Sequence, residues 1–300
     1  MNSSGPFELL QESRIFINDL EFYTITLDVP NGVEKRGRFV FIHGFAETVK
    51  YQLRLFSFLA RLGFEVFSFD QRGSGYTSEK KDERGRTTDE LTFKDLDCFL
   101  EYHIERTKLD LELPWFLGGH SMGGGIVLTY MIKGTYREMF AGYIAMSPLV
   151  LLHKRTRPSP LLYYPLVGLS RLIPQFQFYS GLEVDYLSHD AAHIEFVRNE
   201  PIYHATGSLK LLHNMIVRGT ELLKSKNYQQ AIDRPVLILH GDDDQINSFE
   251  ASKELLDNLI NSDKTFIAVH GGYHELMKES PKFSKVFYEA LELWLLQHTA

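Results

Sequence analysis

Short apolar runs punctuate the chain at residues 37–42, 64–69, 115–117, 141–146, 235–240 and 265–269. Each is continuous rather than alternating, and each stops at a loop of glycine and polar residues. A strand that is apolar at successive positions is buried on both faces. Helical patterns lie between the runs: residues 51–62, closed by Gly63; a helix capped at Thr88 and running to about Lys108; a third from about Met122; a fourth over residues 248–259; and a last one opened by Ser280-Pro281. Residues 21–28 alternate instead, as a surface strand does, and Pro30-Asn31-Gly32 turns the chain after them. Strand and helix in alternation predict an α/β fold with a mostly parallel sheet covered on both faces.

The alternation breaks between residues 149 and 228 and resumes straight afterwards. Prolines 158, 160, 165 and 174 crowd one part of this stretch, which argues against a long helix there. Residues 208–223 read as its clearest helix. Residues 161–169 are apolar with little polar relief. The stretch is expected to be an inserted cap over residues 149–228. Residues 1–148 and 229–300 would form the core domain. An extra layer of the main core is the alternative.

Candidate chemistry centres on residues 115–128, Trp-Phe-Leu-Gly-Gly-His-Ser-Met-Gly-Gly-Gly-Ile-Val-Leu. Gly119-x-Ser121-x-Gly123 between a strand and a helix is the nucleophile-elbow pattern, in which small flanking residues admit a strained turn. A serine hydroxyl needs a histidine to take its proton, and that histidine needs a carboxylate to orient it. In such a sheet the acid and the histidine follow later strands, in that order. Asp244, in Gly241-Asp-Asp-Asp-Gln245, and His274, past Gly271-Gly272, fill those places. Asp242 and Asp243 compete for the acid role, and His270 competes with His274. His43 and His120 read as structural. Asp70 reads as bonding loop N–H groups or pairing with Arg72, and Ser74 as turn chemistry. The loop His43-Gly44-Phe45-Ala46-Glu47 follows a core strand, so the N–H groups of Phe45 and Met122 are the expected oxyanion donors.

Composition narrows the partners. A net charge of −7 without a long basic run speaks against nucleic acid. Cys98 is the single cysteine, so no internal disulfide forms, and a reducing, cytoplasmic setting is expected. The first seventeen residues lack the basic start and apolar segment of a secretory signal, and Asn2 excludes myristoylation. Residues 161–169 are too short to span a bilayer, but Leu162 and Leu166 there are expected to meet lipid. Nothing has the spacing of a metal site: His270 and His274 are four apart but separated by glycines. No cofactor is expected.

These motifs carry a family resemblance. His43-Gly44, Asp70-x-Arg72-Gly73-x-Gly75, Gly119-His120-Ser121-Met122-Gly123-Gly124, His240-Gly241-x-x-Asp244 and His274 resemble the monoglyceride lipase and serine-aminopeptidase-like branch of the α/β-hydrolases. The similarity to fungal monoacylglycerol lipases runs over nearly the whole chain. It implies an α/β-hydrolase fold, the triad Ser121, Asp244 and His274, oxyanion donors at Phe45 and Met122, and Glu47 near the glycerol-facing end of a pocket. It also implies an apolar cap facing a membrane or lipid-droplet surface, and hydrolysis of monoacylglycerol to glycerol and a fatty acid. Ala46 departs from the glycine many members carry, which bears on the shape of the oxyanion loop. The rival activities are a broader carboxylesterase or lysophospholipase, an aminopeptidase, and a non-catalytic lipid-binding protein on the same scaffold.

Overall fold

The computed structural model describes residues 9–107 and 112–299. The first eight residues, on which the reading of a leader and of Asn2 partly rests, and Lys108, where the capped helix was expected to end, lie outside them.

Ten strands are present among the described residues: β1 (Leu10–Ile17), β2 (Leu20–Leu27), β3 (Gly37–Ile42), β4 (Phe64–Phe69), β5 (Trp115–His120), β6 (Phe140–Met146), β7 (Gln177–Tyr179), β8 (Thr206–Ser208), β9 (Val236–Gly241) and β10 (Lys264–Val269). Eight of them form one sheet in the order β1-β2-β4-β3-β5-β6-β9-β10. The β1–β2 hairpin joins antiparallel at one edge, and the pairings from β4 to β10 are parallel. The helices are α1 (Leu53–Arg61), α2 (Asp89–Arg106), α3 (Met122–Lys133), α4 (Pro160–Leu172), α5 (Ala191–Asn199), α6 (Leu209–Leu222), α7 (Ser225–Tyr228), α8 (Phe249–Asn258) and α9 (Pro281–Gln297).

The continuous apolar strands divide their side chains between two cores. Val40, Ile42, Val236 and Ile238 pack with residues of α2, α3 and α8 on one face. Phe39, Phe41, Leu237 and Leu239 pack with residues of α1 and α9 on the other. Alternate residues thus point to opposite faces, and both faces are dry. The helix starts follow their capping residues: Thr88, Ser208 and Ser248 each accept a backbone N–H three residues ahead.

Residues 149–228, between β6 and β9, add no strand to this sheet. They hold α4 to α7 and the two-stranded β7–β8 pair. One expectation is corrected here: a 13-residue helix, α4, does run through the proline-rich part. Pro160 occupies its first turn, where no N–H partner is needed. Pro158 precedes it and Pro174 follows its end. Pro165 lies inside and forfeits one helical bond, a loss α4 tolerates on the surface, where only Ser170 of its residues is buried.

Candidate active site

The elbow forms where the sequence places it. Ser121 has φ +53° and ψ −115°, between β5 and α3. Its strained backbone is held from three sides: its N–H donates to the Met146 carbonyl at 2.9 Å, and its own carbonyl accepts from Gly125 and Leu149. The flanking glycines are steric necessities. A Cβ at Gly119 would stand 2.6 Å from the Gly123 backbone, and one at Gly123 would stand 2.1 Å from the Ile42 carbonyl oxygen. Met122 opens α3, so its N–H has no acceptor within the helix. Opposite it, Ala46 sits at φ +63°. That is the left-handed conformation glycine adopts freely and alanine at a cost of roughly 1–2 kcal/mol. The loop keeps a glycine-like shape without the glycine.

Asp244 and His274 meet. The His274 Nδ1 lies 2.7 Å from Asp244 Oδ2, and both side chains are buried. The other carboxylate oxygen accepts the N–H groups of Ile246 (2.8 Å) and Asn247 (3.0 Å). A residue without an assigned role joins them: His240 Nε2 stands 3.0 Å from the same Oδ2. Burial works against charge on Asp244, but His274 and His240 outweigh it and hold the carboxyl well below its usual range. Burial likewise pushes the His274 imidazole down. The adjoining Asp244 carboxylate more than reverses this, and the net displacement is upward. The rival residues form a separate, exposed pair, with His270 Nδ1 2.7 Å from Asp242 Oδ2 and the Gly271 N–H on Asp242 Oδ1.

Glu47, His120 and Glu275 lie behind His274. Glu47 lines the cavity described below, yet its carboxylate already accepts from the Gly44 N–H (3.0 Å) and the Gln52 amide (2.8 Å), and it faces His120 Nδ1 at 3.0 Å. His120 Nε2 lies 3.3 Å from the His274 carbonyl. Burial opposes charge on Glu47, but the nearby His120 and Lys278 keep it far below its ordinary value. Glu275 pairs with His193 and has Lys278 Nζ at 3.6 Å. Glu47, His120 and Glu275 each offer an atom that could hold a metal, within 4.8 Å of one another. The Lys278 ammonium, 3.6 Å from Glu275, favours the charged form of both carboxylates. His43 is buried, and its Nε2 accepts the Gln71 N–H at 2.9 Å. Asp70 accepts from the N–H groups of Val49 and Tyr76 and from the Thr48 hydroxyl, and burial pushes it up to about 7. The pairing of Asp70 with Arg72 is corrected: Arg72 binds Asp95 at 2.8 Å, because its side chain turns toward α2.

A cavity of about 360 Å³ opens over these residues. Ser121, His274, Glu47, Phe45, Tyr203 and Glu275 line it, with Leu149, Leu162, Leu166, Val167, Leu212 and Ile216. Residues 149–228 supply most of its apolar wall. They are stitched to the loop that bears His274: the Glu275 N–H donates to the Leu187 carbonyl, and buried Glu279 faces His189 Nδ1 at 2.8 Å while accepting the Tyr273 N–H. Sequence reasoning assigned no role to His240, Asn247, Tyr203 or Glu275. Only His240, four residues before Asp244, carried a signal that could have found it.

Comparisons with known proteins assign the chain to a family. A family model described as "Serine aminopeptidase, S33" matches residues 33–281. The monoglyceride lipase of Saccharomyces cerevisiae is 36% identical over 281 residues, which cover 90% of this chain and 88% of that protein. The human monoglyceride lipase is 27% identical, over 90% of this chain and 86% of its own. The crystal structure of a soluble variant of the S. cerevisiae enzyme in complex with a substrate analog superposes with a TM-score of 0.91, at 32% identity, covering 97% of this chain and 96% of that one. Matched over most of its length in sequence and in structure, the chain belongs to the serine aminopeptidase S33 family of α/β-hydrolases.

Proposed function

We propose that this protein is a serine ester hydrolase that cleaves monoacylglycerol to glycerol and a fatty acid. The observation that carries the reading is the buried Asp244–His274 pair, 2.7 Å apart, under a largely apolar cavity that also admits Ser121. The Ser121 hydroxyl attacks the ester carbonyl and gives its proton to His274 Nε2. The opposite nitrogen, Nδ1–H, stays on Asp244, which fixes the tautomer and stabilises the imidazolium. The Phe45 and Met122 N–H groups receive the oxyanion. Glycerol leaves with the proton from His274, and water, activated by the same histidine, hydrolyses the acyl-enzyme. Every step uses groups of this chain and water.

The substrate class is supported by the apolar wall, which suits one acyl chain, and by the relatives named for monoglycerides. An aminopeptidase would need an unbalanced carboxylate to hold a free amine. Glu47 is already engaged by His120, and Glu275 by His193 and Lys278. Residues 149–228 act as the cap of the core formed by 1–148 and 229–300. Leu162 and Leu166 face the acyl chain, and the outer side of α4 rests on a membrane or lipid-droplet surface. The support for that contact is the exposure of Leu161, Tyr164 and Leu172 at 91%, 70% and 80%. No helix among the described residues is long and apolar enough to cross a membrane.

Hydrolysis assays on monoacylglycerols, lysophospholipids and short aryl esters test the substrate. Preference for monoacylglycerol supports the reading, and equal or better turnover of lysophospholipid refutes it. A fluorophosphonate should label the protein once, and labelling of Ser121→Ala would remove Ser121 as nucleophile.

A further inference from the structure

Asn247 is buried, at 1% exposure, yet it lies against the reacting groups from two directions. Its backbone N–H donates to Asp244 Oδ1 at 3.0 Å. Its side-chain nitrogen donates to the Ser147 carbonyl at 2.8 Å and stands 3.5 Å from Ser121 Oγ. The acceptor at Ser147 fixes which end of the amide is nitrogen. One of the two N–H groups is spent there, and the other is left for Ser121 Oγ. Ser147 itself follows β6 in a left-handed conformation, φ +43°, with its N–H bound to the Leu239 carbonyl. The amide therefore spans the loops after β5, β6 and β9, and it is held by rigid strand ends.

We infer that Asn247 is a positioning residue for the nucleophile: its free N–H orients Ser121 Oγ toward His274 and stabilises the charge that develops on that oxygen. A separation of 3.5 Å is at the long end of hydrogen bonding, and contacts to catalytic groups tighten as the reaction proceeds. In the attack step the Oγ–H proton passes to His274 Nε2, an oxygen lone pair forms the bond to the acyl carbon, and the carbonyl π pair moves to its oxygen. Asn247 keeps both of its protons throughout. It serves again when Oγ becomes the leaving group in deacylation. Asp244 gains as well, since the backbone of Asn247 fixes the carboxylate while its side chain fixes the serine. One residue thereby sets the distance between two members of the triad. The inference rests on Ser121 being the nucleophile, as proposed above.

The test compares Asn247→Leu and Asn247→Asp with the wild type and Ser121→Ala. The Leu variant removes the amide. The Asp variant keeps its size but offers no N–H when ionised. Four quantities are read: the fraction of chains a fluorophosphonate labels, the labelling rate, kcat and KM on a soluble short-chain ester, and the melting temperature. The labelling rate and kcat should fall together by about 10- to 100-fold in both variants, somewhat less than the loss of an oxyanion donor costs. KM should stay within about threefold, and the labelled fraction should stay near that of the wild type. A merely structural brace would lower the melting temperature or the labelled fraction and leave the rate per labelled site unchanged, which overturns the inference. Should the Leu variant not fold, the isosteric Asp variant supplies the same comparison. Undiminished rates in the Asn247 variants, with Ser121→Ala unlabelled, overturn this inference alone. Labelling of Ser121→Ala overturns the nucleophile reading and this one with it.

Discussion

His240 Nε2 lies 3.0 Å from Asp244 Oδ2, the oxygen that also holds His274. With the two backbone N–H groups on Oδ1, the carboxylate accepts four donors in a buried setting. An amide in its place would turn an NH2 toward at least one of them. Asp244→Asn should therefore lower kcat by about 10⁴-fold and leave the fold intact, because the tautomer of His274 is lost. Asp242→Asn should cost far less, since Asp242 serves only exposed His270 and the Gly271 N–H. Turnover of a soluble ester, normalised to chains that remain folded by circular dichroism, checks both. A crippling Asp242→Asn beside a mild Asp244→Asn would assign the acid to the outer pair.

The pH dependence of the rate follows from His274. As the proposed base it must be neutral to accept the serine proton, and, against burial, Asp244 raises its pKa above the ordinary imidazole value of 6.5. The acid limb of kcat/KM should therefore bend above pH 6.5. The sign for stability is the reverse of that for activity. The charged His274–Asp244 pair adds stability below the unfolded pKa of His274, and this is lost as pH rises through the folded one. A pH–rate profile checks the first statement. An inflection below 6 would mean that burial, not Asp244, sets the titration.

His103 titrates in the opposite sense. It lies in α2 with its ring 4.1 Å from that of Phe67 and 4.5 Å from that of Phe99, and its Nε2 has no hydrogen-bond partner among the described residues. Burial, with help from Arg106, pushes its pKa down to about 3. Stability that depends on the neutral ring is fully present above the unfolded value near 6.5 and is lost as pH falls toward 3. At pH 4.5 this loss amounts to about 2–3 kcal/mol. His103→Phe should therefore gain on the wild type as pH falls, with turnover unchanged. Thermal melts at pH 7.5 and 4.5 measure this. A constant difference between the two proteins at both values would show that the ring is not forced neutral.

The parallel strands and the glycine-flanked turn at Ser121 are legible because each has one physical requirement that sequence displays directly. A strand buried on both faces must be apolar throughout, as β3 and β9 are. The elbow must have glycine at 119 and 123, where any Cβ collides. Strand β1 escaped notice because it is an edge strand with most of its side chains in solvent, so no apolar pattern marks it. The prolines around α4 speak against a helix, although two of them only bound it and one sits in its first turn. Asn247 left no trace, since its role depends on three loop ends that are distant in sequence and meet only in the fold.

Helix α4 presents two pairs of leucines that its sequence blends into one apolar run. Leu161 and Leu172 are 91% and 80% exposed, whereas Leu162, at 46%, and Leu166 line the cavity. Full burial of a leucine side chain contributes roughly 1.5–3 kcal/mol, so an outward pair inserted part-way into lipid should strengthen adsorption by about tenfold or more. Replacing Leu161 and Leu172 with Ser should weaken sedimentation with phospholipid vesicles by that factor. A soluble short-chain ester should be cleaved as before. Replacing Leu162 and Leu166 with Ser should do the converse. Vesicle binding would largely persist, because the outward leucines remain, while kcat/KM for a long-chain monoacylglycerol would fall by about 10- to 100-fold against that for a short ester, each serine costing about 0.7–1.4 kcal/mol of chain contact. The two pairs stand on one short helix, so general damage to α4 would depress both readouts in both variants. Such parallel losses would sink the division of labour. Vesicle binding that survives loss of Leu161 and Leu172 would move the membrane-facing surface away from α4.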